Sequence, residues 1–545
     1  MLIDLFDFKT SAITQRLWDY IIVGGGSAGC VLANRLSANP ENQVLLLDAG
    51  VANSSLNLQI PAGMMSAIAS DKFNWKYPSM PDRSRNGQLD TWSAGKAIGG
   101  GSAINGMFYI RGHRSDYDRW AQSGCTGWDY ASVLPYFKSL ETFENGDAAY
   151  RGKNGPQSVS LAAHKIPLVD KVVETAIACG HQFNEDYNSQ HQTGVGYAQG
   201  TQKAGRRYSS ADAFLKPALN RKNLMVLLGA QVKRVILNKK QATGVTFRRK
   251  GKDHFVRCRN EIILSAGAFG SPKLLMHSGV GPSEMLKKFD INIVVDAPQV
   301  GRNLMEHPAV YLRAKTKLKS LNAAAHPLRL PFVLTNWFLR GEGPASSAAA
   351  AAQILCRSRE DLIAPDIQLL LTPAIFSFDA VKKRASIMRE NGMSMAVLIL
   401  QPEGRGRIVL NSADPLEPPL IEHMLLGKES DVKSLVLAMR KAVEIFSAPG
   451  LSGVIESLDP NLTPDSPQDA YLDYVREAAF KGDHACGTCR MGIDKNSVVD
   501  PKLRVKGITG LRVVDASVMP LIPSGNTNAP TLMIAEKASD MILDA

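Results

Sequence analysis

The amino-acid sequence predicts a mixed α/β fold, with a parallel sheet in one domain and a second domain inserted into it. Residues 20–23 form a short apolar run, and a glycine-rich turn and a helical spacing of apolar residues follow, ending at Leu36. Residues 44–47 are a second buried strand. Because parallel strands need a crossover element, these segments predict a strand–helix–strand unit. The 545 residues exceed the ~250 to 300 at which one hydrophobic core stops growing, which favours two domains.

The later elements follow in chain order. Strand-like runs separated by turn residues predict an antiparallel meander at residues 224–228, 232–237, 242–247 and 254–258. Residues 261–265 are another buried strand. Parallel-sheet character returns at residues 511–514, and an apolar helix runs from about 529 to 543.

The stretches between these segments have a different sequence character. Residues 395–401 and 406–410 are strand-like runs in a segment of mixed helical and strand character. We therefore expect a first domain of three separated pieces and a second domain inserted between them. The predicted boundaries are 1–157, 204–309 and 484–545 for the first domain, and 158–203 and 310–483 for the second.

The net positive charge is compatible with an anionic partner but does not identify one. The chain has 63 Lys and Arg against 51 Asp and Glu, a formal net charge of +12. The densest basic cluster, residues 248–252, lies between two strand-like runs and has no interleaved aromatic residues. It predicts a solvated hairpin tip rather than a nucleic-acid site.

Targeting signals are not visible. No window has the ~18 consecutive apolar residues of a membrane span. The first twenty residues contain Asp4, Asp7 and Asp19 and no basic start, so we expect no secretory signal. Seven cysteines, an odd number spread thinly, favour reduced thiols and a cytoplasmic location, with peripheral contact at the inner membrane left open.

Gly24, Gly26 and Gly29 form a GxGxxG pattern between the first strand and the first helix. Glycine lets the backbone turn tightly and approach a pyrophosphate, whose charge the helix N-terminus stabilises. Asp48 ends the next strand, where a carboxylate can bind a ribose diol. The pattern predicts dinucleotide binding and leaves NAD and FAD open.

Residues 95–107 form a second glycine cluster, with the sequence GKAIGGGSAINGM. A flexible linker would not carry Ile98, Ile104 and Met107, whereas a backbone lying against a flat ring needs this mixture. The segment resembles the first signature of the glucose-methanol-choline (GMC) oxidoreductases, flavoenzymes that act on alcohols. Residues 265–281 (SAGAFGSPKLLMHSGVG), 300–307 (VGRNLMEH) and 484–492 (HACGTCRMG) resemble later family segments in the same order.

The resemblance covers residues 18–543 and is looser in the inserted domain. It implies a Rossmann-like FAD-binding domain and a substrate-binding domain built on an antiparallel sheet flanked by helices. It also implies FAD as the cofactor, with Val232 contacting the adenine through its backbone. The implied cofactor-binding residues are Gly24, Gly26, Ser27, Ala28, Gly29, Asp48, Ala49, Trp75, Gly99, Gly100, Ser102, Asn105, Gly106, Met107, Val232, Asp515, Ala516, Asn528 and Ala529.

The same resemblance assigns the catalytic residues. His484 matches the family's catalytic histidine, and Asn528 matches its asparagine or histidine partner. An alcohol carbon gives up hydride as its oxygen becomes alkoxide-like, so a base must reach the hydroxyl. Some relatives attach the flavin to a histidine one residue before the asparagine of the first signature. Ile104 stands there, so we expect non-covalent FAD.

Several alternatives remain open. Relatives that cleave cyanohydrins keep the fold, the FAD and the base, so a lyase is the first alternative. A protein that keeps FAD only as a structural element is the second. Oxidase and dehydrogenase activities are both compatible with the residues, and similarity to choline and alkanol dehydrogenases favours a quinone or another carrier over oxygen as acceptor.

The substrate prediction rests on the inserted domain. Residues 345–355 are rich in alanine, and Glu342 is the only acid between residues 321 and 356, which favours an uncharged, fairly apolar primary alcohol over choline. We expect no metal site, because Cys486 and Cys489 lack the partners of a zinc site; packing is their expected role. His277 and His307 are also interpreted as structural.

Overall fold

The computed structural model describes residues 10–162, 164–379 and 384–544. Within these residues, seven strands form a mixed sheet, called the first sheet. It contains Leu17–Val23, Val44–Leu47, Leu224–Leu227, Gln231–Asn238, Gln241–Arg249, Lys252–Leu264 and Leu511–Val513.

The predicted strand–helix–strand unit is confirmed. Leu17–Val23 pairs in parallel with Val44–Leu47 on one side and with Lys252–Leu264 on the other. Helix Ser27–Leu36 connects the first two strands and buries Val31, Leu32 and Leu36 against the sheet. The carboxyl ends of these strands therefore lie beside the N-terminus of this helix.

Two predicted strands differ from the structure. Leu224–Leu227 was expected in the meander, but it pairs in parallel with Val44–Leu47 at the sheet edge. Its nearly uniform burial is typical of parallel strands, which are covered on both faces. Residues 254–258 and 261–265 were expected as two strands, but Lys252–Leu264 is one, with a register shift opposite Trp18 and Tyr20.

The rest of the meander is confirmed. Gln231–Asn238, Gln241–Arg249 and the first half of Lys252–Leu264 pair antiparallel in sequence order. Arg249 pairs with Lys252, so the basic cluster forms the hairpin tip that the sequence predicts.

A second sheet is antiparallel throughout, as predicted. Its strands, in the described part of the chain, are Gly194–Tyr197, Pro308–Thr316, Ala352–Cys356, Ile367–Thr372, Gly392–Ile399, Ile455–Asp459 and Phe480–Lys481. Helices Pro167–Ala178, Glu429–Ser447 and Gln468–Ala478 pack against it and form a separate hydrophobic core. The fold class predicted from the sequence is therefore confirmed.

The two cores follow the two sheets with two exceptions. Val159 lies in the predicted second domain but packs in the core of the first sheet. Ile408, Leu410 and Ile421 fall in the predicted second domain but pack in the core of the first sheet. Backbone hydrogen bonds from Ile408 to Gly301 and from Leu304 to Gly406 hold this segment there. The remaining domain boundaries stay a prediction.

The other helices and short strand pairs surround this framework. The helices are Thr10–Thr14, Leu56–Gln59, Met64–Ala69, Arg114–Gln122, Tyr130–Leu140, Lys216–Ala218, Gly267–His277, Ser283–Lys288, Leu330–Arg340 and Asn528–Leu543. The short pairs join Tyr77–Pro78 to Thr91–Trp92, Glu141–Thr142 to Gln157–Ser158, Ser160–Leu161 to Gln199–Gly200, Gln202–Lys203 to Arg206–Arg207, Val280–Gly281 to Val295–Asp296, Phe376–Asp379 to Arg384–Ile387, and Arg407–Val409 to Leu420–Glu422. None of the described helices combines the length and apolar character needed to cross a bilayer.

Candidate active site

A large cavity lies between the two sheets and opens to the surface. Its volume is about 2740 Å³, whereas a pocket for one small molecule typically measures ~300 to 1,000 Å³. The wall includes Val23 and Val232 of the first sheet and Tyr311 and Leu398 of the second. The cavity therefore has room for a dinucleotide at one end and a substrate at the other.

The GxGxxG turn forms one end of this cavity. Gly24 has a φ of +101°, which favours glycine, and a Cβ on Gly29 would lie 1.9 Å from the Gly24 carbonyl oxygen. Gly26 and Ser27 line the cavity, and helix Ser27–Leu36 begins there. The free amides and positive end of the helix dipole therefore face the position that a pyrophosphate needs.

Asp48 lies beside this turn. One oxygen of its carboxylate accepts a hydrogen bond from the Gly25 amide at 2.8 Å, and the other accepts one from the Gly50 amide at 2.7 Å. Burial raises the pKa of Asp48, while the two amides oppose that rise. Each oxygen keeps a second lone pair, so the group can still accept from a ribose hydroxyl.

The second glycine cluster forms the adjoining wall. A Cβ on Gly95 would lie 2.0 Å from the Gly100 carbonyl oxygen, and one on Gly100 would lie 2.6 Å from the Gly26 Cα. The two glycine segments therefore meet backbone to backbone, which any side chain would prevent. Ile104 and Met107 place apolar side chains on the same wall, where a flat ring can lie.

The predicted cofactor residues fall into two groups. Those that line the cavity are Gly24, Gly26, Ser27, Ala28, Asp48, Ala49, Trp75, Gly100, Asn105, Gly106, Met107, Val232, Asp515, Ala516 and Asn528. Gly29, Gly99, Ser102 and Ala529 do not line it. The Ser102 hydroxyl donates to the Gly99 carbonyl at 2.6 Å and contacts the Ser210 hydroxyl at 2.7 Å, so it holds the shape of the glycine loop.

Asp515 joins three segments at the same end. Its carboxylate accepts hydrogen bonds from the Gly267 amide at 2.9 Å, the Ser271 hydroxyl at 2.5 Å and the Ser517 amide at 2.8 Å. Burial raises the pKa of this carboxyl group. The helix amides fit the pyrophosphate of FAD, the Asp48 carboxylate fits its ribose, and the glycine wall with its apolar neighbours fits its ring. The residues present therefore fit this cofactor.

His484 lies farther along the cavity on a well-anchored loop. Its neighbour Cys486 exchanges two backbone hydrogen bonds with Met305, at 3.0 and 3.1 Å. The buried Glu306 carboxyl group accepts hydrogen bonds from the His484 amide, at 2.8 and 3.0 Å, and from the His307 amide, at 2.8 Å. Burial raises the pKa of Glu306 to about 8. Two histidines from distant parts of the sequence are therefore held side by side.

His307, which the sequence interpretation treated as structural, contacts the predicted base directly. Its Nδ1 lies 3.0 Å from Nδ1 of His484, and its Nε2 lies 3.2 Å from the Leu400 carbonyl oxygen. A carbonyl only accepts, so Nε2 of His307 carries the hydrogen and its Nδ1 keeps a lone pair. His484 must then carry its hydrogen on Nδ1, which leaves its Nε2 unprotonated.

Burial keeps both rings neutral. It lowers the pKa of His484 to about 4, although the Asp483 charge opposes the change. Burial lowers the pKa of His307 well below its usual range, and the His484 charge adds to that. His484 is therefore a neutral imidazole at physiological pH, with the lone pair of Nε2 able to accept a proton.

Asn526, which the sequence interpretation missed, lies beside that lone pair. Its Nδ2 is 2.7 Å from Nε2 of His484. Asn528 was expected in this position, but its Oδ1 accepts a hydrogen bond from the Ser27 hydroxyl at 2.8 Å. Asn528 is the first residue of helix Asn528–Leu543, and Asn526 precedes the helix in the loop, which explains why the two side chains diverge.

The two cysteines beyond His484 are buried and free of disulfides. Burial raises the pKa of both Cys486 and Cys489, which opposes thiolate chemistry. The Cys489 amide donates to the Ser517 carbonyl at 2.8 Å, so the segment joins the histidine loop to the cofactor end. Among the described residues, no group of three or more His, Cys, Asp or Glu side chains is placed to bind a metal ion.

The fold and the dinucleotide-sized cavity fit an FAD-dependent oxidoreductase. The sequence matches the GMC oxidoreductase family, its N-terminal domain over residues 18–309 and its C-terminal domain over residues 402–535. The chain therefore belongs to the GMC oxidoreductase family, as the sequence predicted, and is an FAD-dependent enzyme acting on CH–OH groups.

Similar proteins cover almost the whole chain. The oxygen-dependent choline dehydrogenase of Rhizobium johnstonii is 38% identical over 96% of this chain and 95% of its own length. The mitochondrial choline dehydrogenase of Homo sapiens is 37% identical over 96% of this chain and 89% of its own. In solved structures, pyridoxine 4-oxidase from Mesorbium loti gives a TM-score of 0.86 at 29% identity, covering 97% and 99% of the two chains. A variant of Aspergillus oryzae formate oxidase gives 0.90 at 26%, covering 97% and 99%.

Proposed function

We propose that this chain oxidises an uncharged, fairly apolar primary alcohol to the aldehyde, with His484 as the base. The observation that carries the proposal is a series of hydrogen bonds, from the Leu400 carbonyl through His307 to His484, that leaves Nε2 of His484 unprotonated at the cavity wall. A buried neutral imidazole can take the hydroxyl proton as the carbon–hydrogen bond breaks. Bound FAD supplies the acceptor for the hydride.

Asn526 is the proposed partner of His484, in place of Asn528. Its amide nitrogen already donates toward Nε2, so an alcohol oxygen placed between the two groups would receive a hydrogen bond from Asn526 and lose its proton to His484. The first amides of helix Asn528–Leu543 have no side-chain cap. They would stabilise negative charge at the cofactor end of the cavity.

The walls near residues 104–107 support an apolar substrate. A Cβ on Gly106 would lie 3.2 Å from the Ala349 methyl group and 3.8 Å from the Met64 sulfur. Phe108 packs with Ala350 in the same region. The names of the relatives favour choline as a second candidate, which would need a carboxylate for its cation. Asp483, next to the base, is already paired with Lys481 at 2.6 Å.

The proposed FAD is non-covalent. Ile104 lines the cavity at the position where some relatives attach the flavin to histidine, and its side chain offers no nucleophile. Acid precipitation of the purified holoenzyme should release the yellow colour into the supernatant. A yellow pellet would contradict this part of the proposal.

The proposed electron acceptor is a quinone or another carrier, with oxygen as the alternative. The name of the human relative, a mitochondrial choline dehydrogenase, favours a carrier. The name of the Rhizobium relative, an oxygen-dependent choline dehydrogenase, favours the alternative. Because quinones dissolve in membranes, we further propose that the protein is cytoplasmic and contacts the inner membrane peripherally.

The proposal predicts that an alcohol reduces the bound flavin in the absence of oxygen. Mixing the holoenzyme anaerobically with a series of neutral primary alcohols and with choline should bleach the flavin fastest with an apolar alcohol. Replacing His484→Gln should slow that bleaching by roughly 100- to 10,000-fold, the usual contribution of a positioned base. Stopped-flow absorbance gives both rates.

The matched control is His277→Gln, a buried histidine of the first core's helix Gly267–His277. It should leave the bleaching rate unchanged when FAD content is equal. Equal rates for wild type and His484→Gln would contradict the mechanism, and faster bleaching by choline would contradict the substrate. Turnover of a cyanohydrin without bleaching would instead identify a lyase. Oxygen uptake with the best alcohol then separates oxidase from dehydrogenase.

A further inference from the structure

Helix Leu330–Arg340 and the turn before it expose an unusual amount of apolar surface. Phe332 is 79% exposed, Leu339 73% and Phe338 65%. We call the set the apolar ridge: Leu328, Leu330, Phe332, Leu334, Phe338 and Leu339. A contiguous apolar surface of this kind marks an interaction site rather than ordinary surface variation.

The helix that carries the ridge is fixed to the protein by its opposite side. Trp337 is buried, and its Nε1 donates to the Gly205 carbonyl at 2.9 Å. The Arg206 guanidinium lies 4.4 Å from the centre of the Trp337 ring. Gly341, with a φ of +70°, ends the helix and donates to the Trp337 carbonyl at 2.8 Å. The apolar side chains are therefore held outward on an anchored helix.

The charges around the ridge are predominantly positive, although the exposed Glu342 lies just beyond the helix. Residues 315–341 contain five Lys or Arg residues and no Asp or Glu. Lys317, Lys319, Arg329 and Arg340 are exposed. Apolar side chains bordered by cations are complementary to the acyl chains and anionic headgroups of a lipid surface. A second copy of this chain, which would bring the same cations, would be repelled.

We propose that the apolar ridge docks the enzyme on an anionic bilayer, with helix Leu330–Arg340 lying in the headgroup region. The helix has 11 residues and, at ~1.5 Å per residue, it is far shorter than the ~30 Å hydrocarbon core. It therefore lies on the membrane and does not span it.

The ridge also borders the mouth of the active-site cavity. Leu328, Leu330, Val333 and Leu334 line that cavity. The exposed Leu56 and Leu89 line the same cavity. Docking would open the cavity toward the bilayer, where an apolar alcohol or a quinone is concentrated. This consequence rests on the proposed substrate and electron acceptor. The docking gives the proposed membrane contact a surface and is argued from the ridge alone.

Flotation of the FAD-loaded enzyme with vesicles tests the docking without any turnover. We expect strong binding to an equal mixture of phosphatidylcholine and phosphatidylglycerol, and weak binding to phosphatidylcholine alone. Replacing Phe332→Ser and Phe338→Ser together should lower the partition coefficient at least about tenfold. Replacing Arg329→Gln and Arg340→Gln should lower binding to the anionic vesicles by about fivefold per arginine.

The matched control replaces Ile493→Ser and Leu437→Ser, which are exposed on other elements. It should float like the wild type. Equal flotation by the Phe332→Ser/Phe338→Ser variant, or no wild-type binding to anionic vesicles at low salt, would overturn the proposal. A wild-type dimer that the phenylalanine replacements convert to a monomer, without vesicle binding, would also overturn it and assign the ridge to a subunit interface. Unchanged anaerobic bleaching in the variants would show that any loss concerns docking and not catalysis.

Discussion

The two ends of the active-site cavity are built by different means. The cofactor end consists of backbone, from residues 24–29 and 95–107, where Gly29 and Gly100 approach other backbone atoms too closely for any side chain. The proposed substrate end consists of apolar side chains from segments far apart in the sequence, such as Met64 and Leu370. Backbone requirements restrict a position to glycine, whereas an apolar wall can be made from many residues.

We therefore expect the cofactor end to tolerate few substitutions and the proposed substrate end to tolerate more. The difference also separates two measurable properties. Changes at the cofactor end should alter FAD retention, and changes around His484 should alter the rate of flavin reduction at unchanged FAD content. Three predictions, in order of decreasing expected effect, test this separation.

The largest effect is expected for Gly29→Ala. The added Cβ would lie 1.9 Å from the Gly24 carbonyl oxygen, so the strand and the helix must move apart. That displacement spoils the amide positions at the helix N-terminus, and overpacking of this kind destabilises by about 1 to 3 kcal/mol or more. We expect purified protein with little or no FAD, measured by absorbance against protein concentration, and a lower melting temperature.

Gly453→Ala is the control for that change. A Cβ on Gly453 meets nothing within 4 Å, and the residue is exposed. This variant should keep both its FAD and its melting temperature. Full FAD content in Gly29→Ala would refute the idea that backbone contact restricts the cofactor end.

The same difference explains what the sequence could predict. Gly24, Gly26 and Gly29 predict a tight turn after a strand, and the motif around His484 predicted a histidine that lies in the cavity wall. Position within a motif could not decide between Asn526 and Asn528, because residues two apart diverge where a loop becomes a helix. His307 could not be found either, since its contact with His484 joins positions 177 residues apart.

Strand pairing also shows how far the sequence alone can predict the fold. Apolar runs located most strands of the first sheet, but a run does not specify its neighbour. Leu224–Leu227 was placed in the meander because it precedes it in sequence, yet it pairs with Val44–Leu47 across the sheet. Pairing depends on burial of both faces in the folded molecule, which local spacing does not encode.

The second prediction concerns His307, a positioning residue. His307→Ala removes the acceptor for the Nδ1 hydrogen of His484, so the imidazole can adopt the tautomer that presents N–H instead of a lone pair to the substrate. We expect flavin reduction to slow about 100-fold at unchanged FAD content. His307→Asn keeps an oxygen near that position and should recover part of the rate. A rate in His307→Ala within twofold of wild type, in stopped-flow measurements, would eliminate the tautomer assignment.

The smallest effect separates the two asparagines. Asn526→Ala removes the amide 2.7 Å from Nε2 of His484 and should slow flavin reduction about tenfold, the value of one hydrogen bond to a developing charge, with FAD content unchanged. Asn528→Ala removes the acceptor of the Ser27 hydroxyl bond at the cofactor end, so it should weaken FAD binding a few-fold and leave the reduction rate nearly constant. FAD titration and stopped-flow reduction, made on both variants, distinguish the two results. If Asn528→Ala slowed reduction and Asn526→Ala did not, Asn528, the asparagine assigned from the sequence, would be the functional partner of His484. A residue of the cofactor end would then control the reduction rate, which contradicts the separation between the two ends.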